Sequence, residues 1–490
     1  MPASEARLVL VTAGAEEQAH SIAHRLVDER LAACVNVVGP IRSIYRWRGA
    51  VEDEAEFLLL INTRARLLGR LERRVIELHS YEVPEVLALA PSGDRPPTSD
   101  GSLNRPRRNR RLPGLARHAG APGADRDRRT MFRKAIREMA PYVPGEQPRP
   151  GQRLIKLNTN ENPYPPSPRV RRAVAHAALG HALRLYPAPL ADDFIAAAAR
   201  RYGFAPRMIV AGNGSDELLA MLFRATLGPG DRVAWASPTY SLYDTLAAVQ
   251  EARVITPPLG PEFELPLEAL VRARARLTIV CNPNSPSGTL TPTRTLARLA
   301  RLLDGRLLAI DEAYVDFAEE NALALVRRLP NVLVLRSLSK SYSLAGMRLG
   351  LCFAHPEIIT QLGKVKDSYN LSRLAIAAGA AALDDSAWME RNVERVKRTR
   401  AAAMRKLLAM GFAVPASSAN FVLARMPGRD LGPVEAGLRK SGVLVRFFRA
   451  WPDALRISIG TPAEMTELFK ALGPLAAALT ASRRNGCAWG

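Results

Sequence analysis

Short apolar runs alternate with amphipathic stretches along this chain, and the two rhythms place most of its elements. Leu8-Val-Leu-Val-Thr12 reads as a strand, Glu16 to Leu31 as a helix with Ile22, Ala23, Leu26 and Val27 on one face, and Ala33 to Tyr45 as a second strand. Phe57-Leu-Leu-Leu-Ile61 gives a third strand, Leu67 to Leu78 a second helix, and Val86-Leu-Ala-Leu89 a short final strand. That order, β-α-β-β-α-β, predicts a ferredoxin-like α+β domain. The pattern then stops: residues 91–130 hold ten arginines, four aspartates and no lysine among repeated Pro and Gly. A segment of this kind buries too little to offset its ordering entropy, so a disordered linker is expected.

From Met131 onward strands alternate with helices, which predicts an α/β unit built on a mostly parallel sheet. Met208–Ala211, Leu277–Cys281, Leu307–Ile310 and Val332–Leu335 are continuous apolar runs, as expected of strands covered on both faces. Each gives way to polar residues, and in open α/β sheets ligands gather at such strand ends. The expected organisation is a domain over 1–90, a linker over 91–130 and a larger domain over 131–480, consistent with 490 residues.

Composition narrows the function classes. A net charge of +22 invites a nucleic-acid reading, but a large share of the excess sits in the unpatterned 91–130 segment, so no nucleic-acid partner is expected. No apolar run approaches the roughly 18 residues of a membrane span, and the start lacks a basic-then-apolar leader. Cys34, Cys281, Cys352 and Cys487 are scattered without paired spacing, which argues against a disulfide framework or zinc site and for a reducing cytoplasm.

The chemistry is concentrated in Ser337-Leu-Ser339-Lys340-Ser-Tyr-Ser-Leu-Ala-Gly-Met-Arg348-Leu-Gly350, where one lysine follows an apolar strand and one arginine comes eight residues later. That is the layout of a pyridoxal-phosphate lysine and its phosphate clamp. After Ala211, Gly212-Asn-Gly214-Ser215-Asp216 leads into an amphipathic run, a turn whose backbone N–H groups and helix dipole suit an anion. Asp311, leaving a strand with Tyr314 three residues on, is ordinarily a turn or cap residue; in a pyridoxal site the same position supplies the carboxylate against the ring nitrogen. Tyr240 is placed like a ring stacking on the cofactor, or like ordinary packing.

Two resemblances follow. Glu29–Val37, Ser43–Glu52 and Leu78–Val86 resemble, in order, the CutA-type divalent-cation-tolerance proteins over residues 5 to 90. That likeness implies a trimer and makes Cys34 and His79 the candidate copper ligands, against the plainer reading of packing residues. It stops near Ala90, short of the family's last strand and helix, so the domain reads as truncated. A reading-frame shift in arginine-rich coding sequence would leave such a break, with Met131 as an original start; a true fusion is the other reading, and resequencing across the break separates them.

The second part resembles the fold-type I aminotransferases and, through Ala140-Pro-Tyr142-Val-Pro-Gly145, Leu157–Tyr164, Arg184-Leu-Tyr186-Pro and Leu455–Thr461, the histidinol-phosphate aminotransferases over about 132–475. The resemblance implies pyridoxal 5'-phosphate as cofactor and a two-fold homodimer. Lys340 would form the Schiff base, Asp311 pair with the ring nitrogen, and Tyr314 meet the ring oxygen. The main chain of Ser215 and Asp216, with Ser337, Ser339 and Arg348, would take the phosphate, with Tyr164 arriving from a neighbouring subunit. Ser285 stands where the family usually has Asn, which puts a direct contact to the ring oxygen in doubt; the side chain of the adjacent Asn284 is expected to point elsewhere. Arg456, Arg446, Tyr142 and Asn162 are the substrate-binding candidates, Arg456 because a planar fork accepts a phosphate and a carboxylate in turn. The implied reaction is transamination between L-histidinol phosphate and 2-oxoglutarate. An aromatic or broad-specificity aminotransferase and a phosphothreonine-type decarboxylase share the scaffold, and a metal-binding scaffold with a degenerate enzyme domain is the reading from another class.

Overall fold

A computed structural model of the chain describes residues 6–47, 50–81, 84, 86–89, 131–140, 145–148, 152 and 154–485. The expected linker, Tyr142 and Cys487 lie outside the described residues. The chain forms two compact units, Met1–Gly120 and Ala121–Gly490.

In the first unit, strands β1 (Ala6–Ala13), β2 (Cys34–Trp47), β3 (Ala50–Arg64) and β4 (Val86–Leu89) form one antiparallel sheet in the order β2-β3-β1-β4. With helices Glu16–Asp28 and Leu68–Leu78 inserted after β1 and β3, this is the ferredoxin-like fold the apolar rhythm indicated. Val9, Val11, Leu59 and Ile61 pack against Ile22, Leu26, Leu71 and Val75. Val27 departs from expectation: it is 41% exposed, because the buried stripe runs through Ala19, Ile22 and Leu26. β3 also begins seven residues earlier than Phe57. Its acidic first half carries no apolar alternation and is held by register with β2, including an Arg42–Asp53 ion pair of 2.7 Å.

The first strand of the second unit is β5 (Ile155–Leu157), followed by β6 (Ile209–Asn213), β7 (Arg232–Ala234), β8 (Arg253–Ile255), β9 (Leu277–Cys281), β10 (Leu307–Asp311), β11 (Val332–Ser337) and β12 (Leu349–Phe353). The last seven form one sheet in the order β6-β12-β11-β10-β9-β7-β8. Every pairing in it is parallel except those of β12, which runs antiparallel between β11 and β6. The carboxyl ends of β6, β9, β10 and β11 therefore share one edge with the amino end of β12. That edge carries Asn213, Cys281, Asp311, Ser337 and Leu349.

A smaller sheet, β13-β15-β14-β5, joins β13 (Phe421–Arg425), β14 (Val443–Phe448) and β15 (Trp451–Ser458). β5 lies parallel to β14, Leu157 opposite Val445. This non-local pairing delivers residues 158–164 to the functional edge.

Candidate active site

The anion cradle forms where β6 runs into the helix Gly214–Thr226. The first backbone N–H groups of a helix have no intrahelical acceptor and face whatever sits at its start, and here they belong to Gly214, Ser215 and Asp216. Gly214 adopts φ +81 and an added Cβ would lie 2.6 Å from Arg348 Nη2; one on Gly350 would lie 2.6 Å from the Gly214 carbonyl carbon. The two glycines let three segments meet without side chains between them. Arg348 reaches the cradle from a left-handed backbone conformation (φ 53, ψ 60) and donates from Nη2 to Asp216 Oδ2 at 2.9 Å. Asp216 Oδ1 accepts the Tyr240 hydroxyl at 3.1 Å. Ser337 and Ser339 are buried beside this turn, Ser337 Oγ accepting Ser339 N–H at 3.2 Å.

Asp311 ends β10 almost wholly buried. Its Oδ2 accepts the Tyr243 hydroxyl at 2.7 Å and its Oδ1 accepts Ala313 N–H at 3.2 Å, with no ion pair to a cation among the described residues. Burial pushes its pKa up to about 6; the two hydrogen bonds pull the other way, and the Asp216 carboxylate adds to the rise. A buried carboxylate in that condition favours a positive group brought against it. Tyr314 is also buried, edge-on to Phe421 at 5.0 Å, and its hydroxyl accepts Asn160 Nδ2 at 3.1 Å.

Lys340 Nζ donates to Thr159 O at 3.1 Å and lies 5.8 Å from the Tyr314 ring centre. Burial lowers its pKa to about 8, helped by the Arg456 charge and opposed by Glu161 and Asp216. Asn162 fixes the turn beside it: Nδ2 donates to Lys340 O and Ser341 O, both at 3.0 Å, and Oδ1 accepts Tyr164 N–H at 3.1 Å. The Asn162 amide thereby fixes the backbone of the lysine turn.

Arg456 Nη1 donates to Ser285 Oγ at 3.0 Å and Nη2 to Asn158 O at 3.1 Å, with the guanidinium near the Phe421 and Phe448 rings at 5.3 and 5.9 Å. Arg446 is its direct ladder partner on β14. Ser285 therefore meets Arg456. Asn284 points elsewhere: Oδ1 accepts Thr239 Oγ1 at 2.8 Å, and Nδ2 donates to Pro238 O and Ser287 Oγ at 3.1 and 2.9 Å.

Residues 152–472 match the family described as aminotransferase class I and II, and residues 7–97 match the CutA1 divalent ion tolerance protein family. The histidinol-phosphate aminotransferase of Citrifermentans bemidjiense is 49% identical over 346 residues, covering 70% of this chain and 98% of that protein. The chain belongs to the histidinol-phosphate aminotransferase family. A second relative, histidinol-phosphate aminotransferase 1 of Trichormus variabilis, is 42% identical with 70% and 98% coverage. Among solved structures, the histidinol-phosphate aminotransferase of Sinorhizobium meliloti in complex with pyridoxal-5'-phosphate superposes with a TM-score of 0.65 at 27% identity, covering 71% of this chain and 98% of that one. The fold is that of the fold-type I enzymes with a CutA-like domain ahead of it.

The residues present fit pyridoxal phosphate. The glycine-lined cradle beside Arg348 suits its phosphate, buried Asp311 suits a protonated ring nitrogen, and Lys340 is an amine with a depressed pKa. Two residues of this aminotransferase went unread in the sequence. Tyr243 holds Asp311, and Asn160 joins Tyr314 to the small sheet through Ser458 Oγ, which donates to Asn160 Oδ1 at 3.0 Å. Asn160 has φ +57, a conformation Asn tolerates better than most residues, and that preference was its only local signal.

Tyr164 departs from the expected reach to a neighbouring subunit. Its ring is buried within its own chain under Arg395, 3.5 Å from Cζ to ring centre, so it is not available to a neighbouring subunit. Tyr186 stands clear instead, 78% exposed and stacked on Tyr369 at 4.4 Å.

In the CutA-like unit the weak metal candidates do not converge. His79 Nε2 donates to Thr12 O at 2.7 Å while Nδ1 accepts Tyr81 N–H at 3.1 Å, so neither ring nitrogen is left for a metal. Cys34 is exposed and its Sγ accepts Asn62 Nδ2 at 3.1 Å. Among the described residues no group of three His, Cys, Asp or Glu side chains is arranged to hold an ion.

Proposed function

We propose that this protein transaminates L-histidinol phosphate with 2-oxoglutarate, giving imidazole-acetol phosphate and glutamate in histidine biosynthesis, with pyridoxal phosphate as cofactor. The observation that carries the substrate is Arg446 directly opposite Arg456 across the β14–β15 ladder. Two guanidinium groups side by side on one face of the ladder suit a doubly charged phosphate ester better than a single carboxylate. Arg456, oriented by Ser285 and Asn158, serves either anion in turn.

Bound, the cofactor supplies an electron sink for negative charge developing at the substrate carbon that bears the amine. Asp311 holds positive charge at the ring nitrogen. The main-chain N–H groups of Ser215 and Asp216, with Ser337, Ser339 and Arg348, would hold the phosphate, and Tyr314 with Tyr240 would line the ring. Lys340 Nζ, with a pKa near 8 in the free site, carries the proton at the reacting carbons. The shared motifs and the buried strand-end geometry support these roles and favour an active enzyme over a degenerate domain.

The catalytic unit is read as residues 131–480, working as a homodimer. Leu179, Leu183, Leu185, Tyr186 and Leu190 are all more than half exposed within one stretch, an apolar surface of the kind that marks an interface. The cytoplasmic reading rests on free Cys281 and Cys352, and among the described residues no helix is long and apolar enough to cross a membrane.

The test is glutamate formation from histidinol phosphate and 2-oxoglutarate. In Arg446→Met the KM for histidinol phosphate should rise at least about tenfold, the scale of a lost charge-assisted contact, with the KM for 2-oxoglutarate changed much less. Carbon dioxide release from phosphothreonine, or better turnover of phenylalanine than of histidinol phosphate, would contradict the reading.

A further inference from the structure

Beneath the turn that carries Lys340 lies a cluster of three charged side chains that the chemistry above does not use. Arg336 on β11 and Glu312, just beyond β10, are buried, and Asp316 is largely so. Arg336 donates from Nε to Glu312 Oε2 at 2.8 Å and from Nη1 to Asp316 Oδ1 at 3.1 Å. The second oxygen of each carboxylate grips another part of the chain. Glu312 Oε1 accepts Ala322 N–H at 2.5 Å, and Asp316 Oδ2 accepts the Ser341 hydroxyl at 2.5 Å. The Arg336 guanidinium carbon lies 5.4 Å from the Tyr202 ring centre.

Stability alone does not account for such a cluster. Desolvating three charges largely cancels their mutual attraction, and apolar side chains of the same volume often serve a core as well. Its position suggests a different job. Glu312 is the residue after Asp311, and Ser341 is the residue after Lys340. A single planar guanidinium, which fixes distance and angle in a way an ammonium does not, thus links the strand end bearing the ring-nitrogen carboxylate to the turn bearing the reactive amine. Asn162 pins the same turn through the Lys340 and Ser341 carbonyls, so the amine is located by two separate anchors.

We propose that Arg336 is a positioning residue for transamination, holding Asp311 and Lys340 in register through Glu312 on one side and Asp316–Ser341 on the other. This rests on Lys340 and Asp311 being the working groups of the site.

The test compares Ser341→Ala, which cuts the link next to Lys340 without leaving a buried charge unpaired, with Arg336→Lys, which keeps the charge and removes the fork. Both are made in the full chain loaded with pyridoxal phosphate. The pH midpoint of the bound cofactor's visible band, kcat, both KM values and the thermal midpoint are measured. Each variant should move the band's midpoint by at least about 0.5 unit and lower kcat at least about tenfold while KM stays within about twofold, because misplacement of a reacting group acts on the chemical step. Ser341→Ala should melt no more than about 2–4 °C below the wild type, the scale of one lost hydrogen bond in a chain of this size. A Ser341→Ala protein with unchanged midpoint and kcat overturns the proposal and leaves the cluster a structural feature; if Arg336→Lys fails to fold, Ser341→Ala decides alone. Lys340→Ala serves as the control: borohydride treatment that still fixes the cofactor covalently to this variant refutes the assignment of Lys340 itself, a result distinguishable from failure of the positioning role.

Discussion

Replacing Asp311 by Asn should make the cofactor-free protein more stable and the enzyme nearly inactive. Among the described residues no cation pairs with the buried carboxylate, and its pKa is pushed up from 3.8 to about 6, chiefly by burial. Between those values the folded state holds a proton that the unfolded state has released, so stability falls as pH rises through the window and the penalty is complete above about pH 7. A rise of about two pKa units corresponds to roughly 3 kcal/mol of folding free energy. Asn carries no charge at any pH, but it cannot accept from both the Tyr243 hydroxyl and the Ala313 N–H, a loss of about 1 kcal/mol. Asp311→Asn should therefore be equal to or slightly less stable than wild type near pH 4.5 and about 2 kcal/mol more stable near pH 7.5. Urea unfolding of the cofactor-free proteins, followed by circular dichroism across that range, measures the difference; contributions from the CutA-like unit are common to both proteins and cancel. With cofactor bound the advantage should reverse, since the positive ring nitrogen loses its counter-charge, and kcat should fall at least about a hundredfold. A stability difference that does not vary with pH would refute the reasoning.

Lys340 and Gly350 give two further tests. Only a neutral amine captures the cofactor, so the rate of covalent loading onto the free protein should climb with pH and level off above about 8, where burial and Arg456 set the lysine; stopped-flow absorbance that rises instead through 10.5 would deny that the amine is desolvated. In Gly350→Ala the new Cβ meets backbone atoms of Gly214 and Ser215 at 2.6 to 2.7 Å, which no rotamer change relieves. The phosphate cradle should open, weakening cofactor affinity at least tenfold and stability by about 1–3 kcal/mol, the usual scale of overpacking; equilibrium dialysis and thermal unfolding read both effects.

The candidate site residues most legible in the sequence are those that end apolar strands. Asp311, Ser337 and Lys340 follow runs whose lengths announce buried parallel strands, and Arg348 precedes another, so local pattern sufficed. Asn160, Tyr243 and Asn162 owe their roles to contacts more than sixty residues away in sequence, and no local pattern encodes those. β5 is three residues long and intelligible only through its pairing with β14, and β7 and β8 are equally short. Tyr164 departs from expectation for the same reason. A tyrosine in a polar motif looks available, and only the packing of Arg395 over its ring shows that it is not. Ser285, legible as a departure from the family, turns out to orient Arg456, a partner 171 residues away.

The central claim is that this site acts on a phosphate-bearing amine through Lys340. The most direct measurement mixes the cofactor-loaded protein with L-histidinol phosphate in the absence of 2-oxoglutarate and follows the cofactor's visible absorbance through a single half-reaction. The account predicts a complete shift with one equivalent of keto product and no carbon dioxide, slower or weaker with histidine, phenylalanine and phosphothreonine, and absent in Lys340→Ala. A protein whose spectrum ignores histidinol phosphate but responds to one of the other three would contradict it.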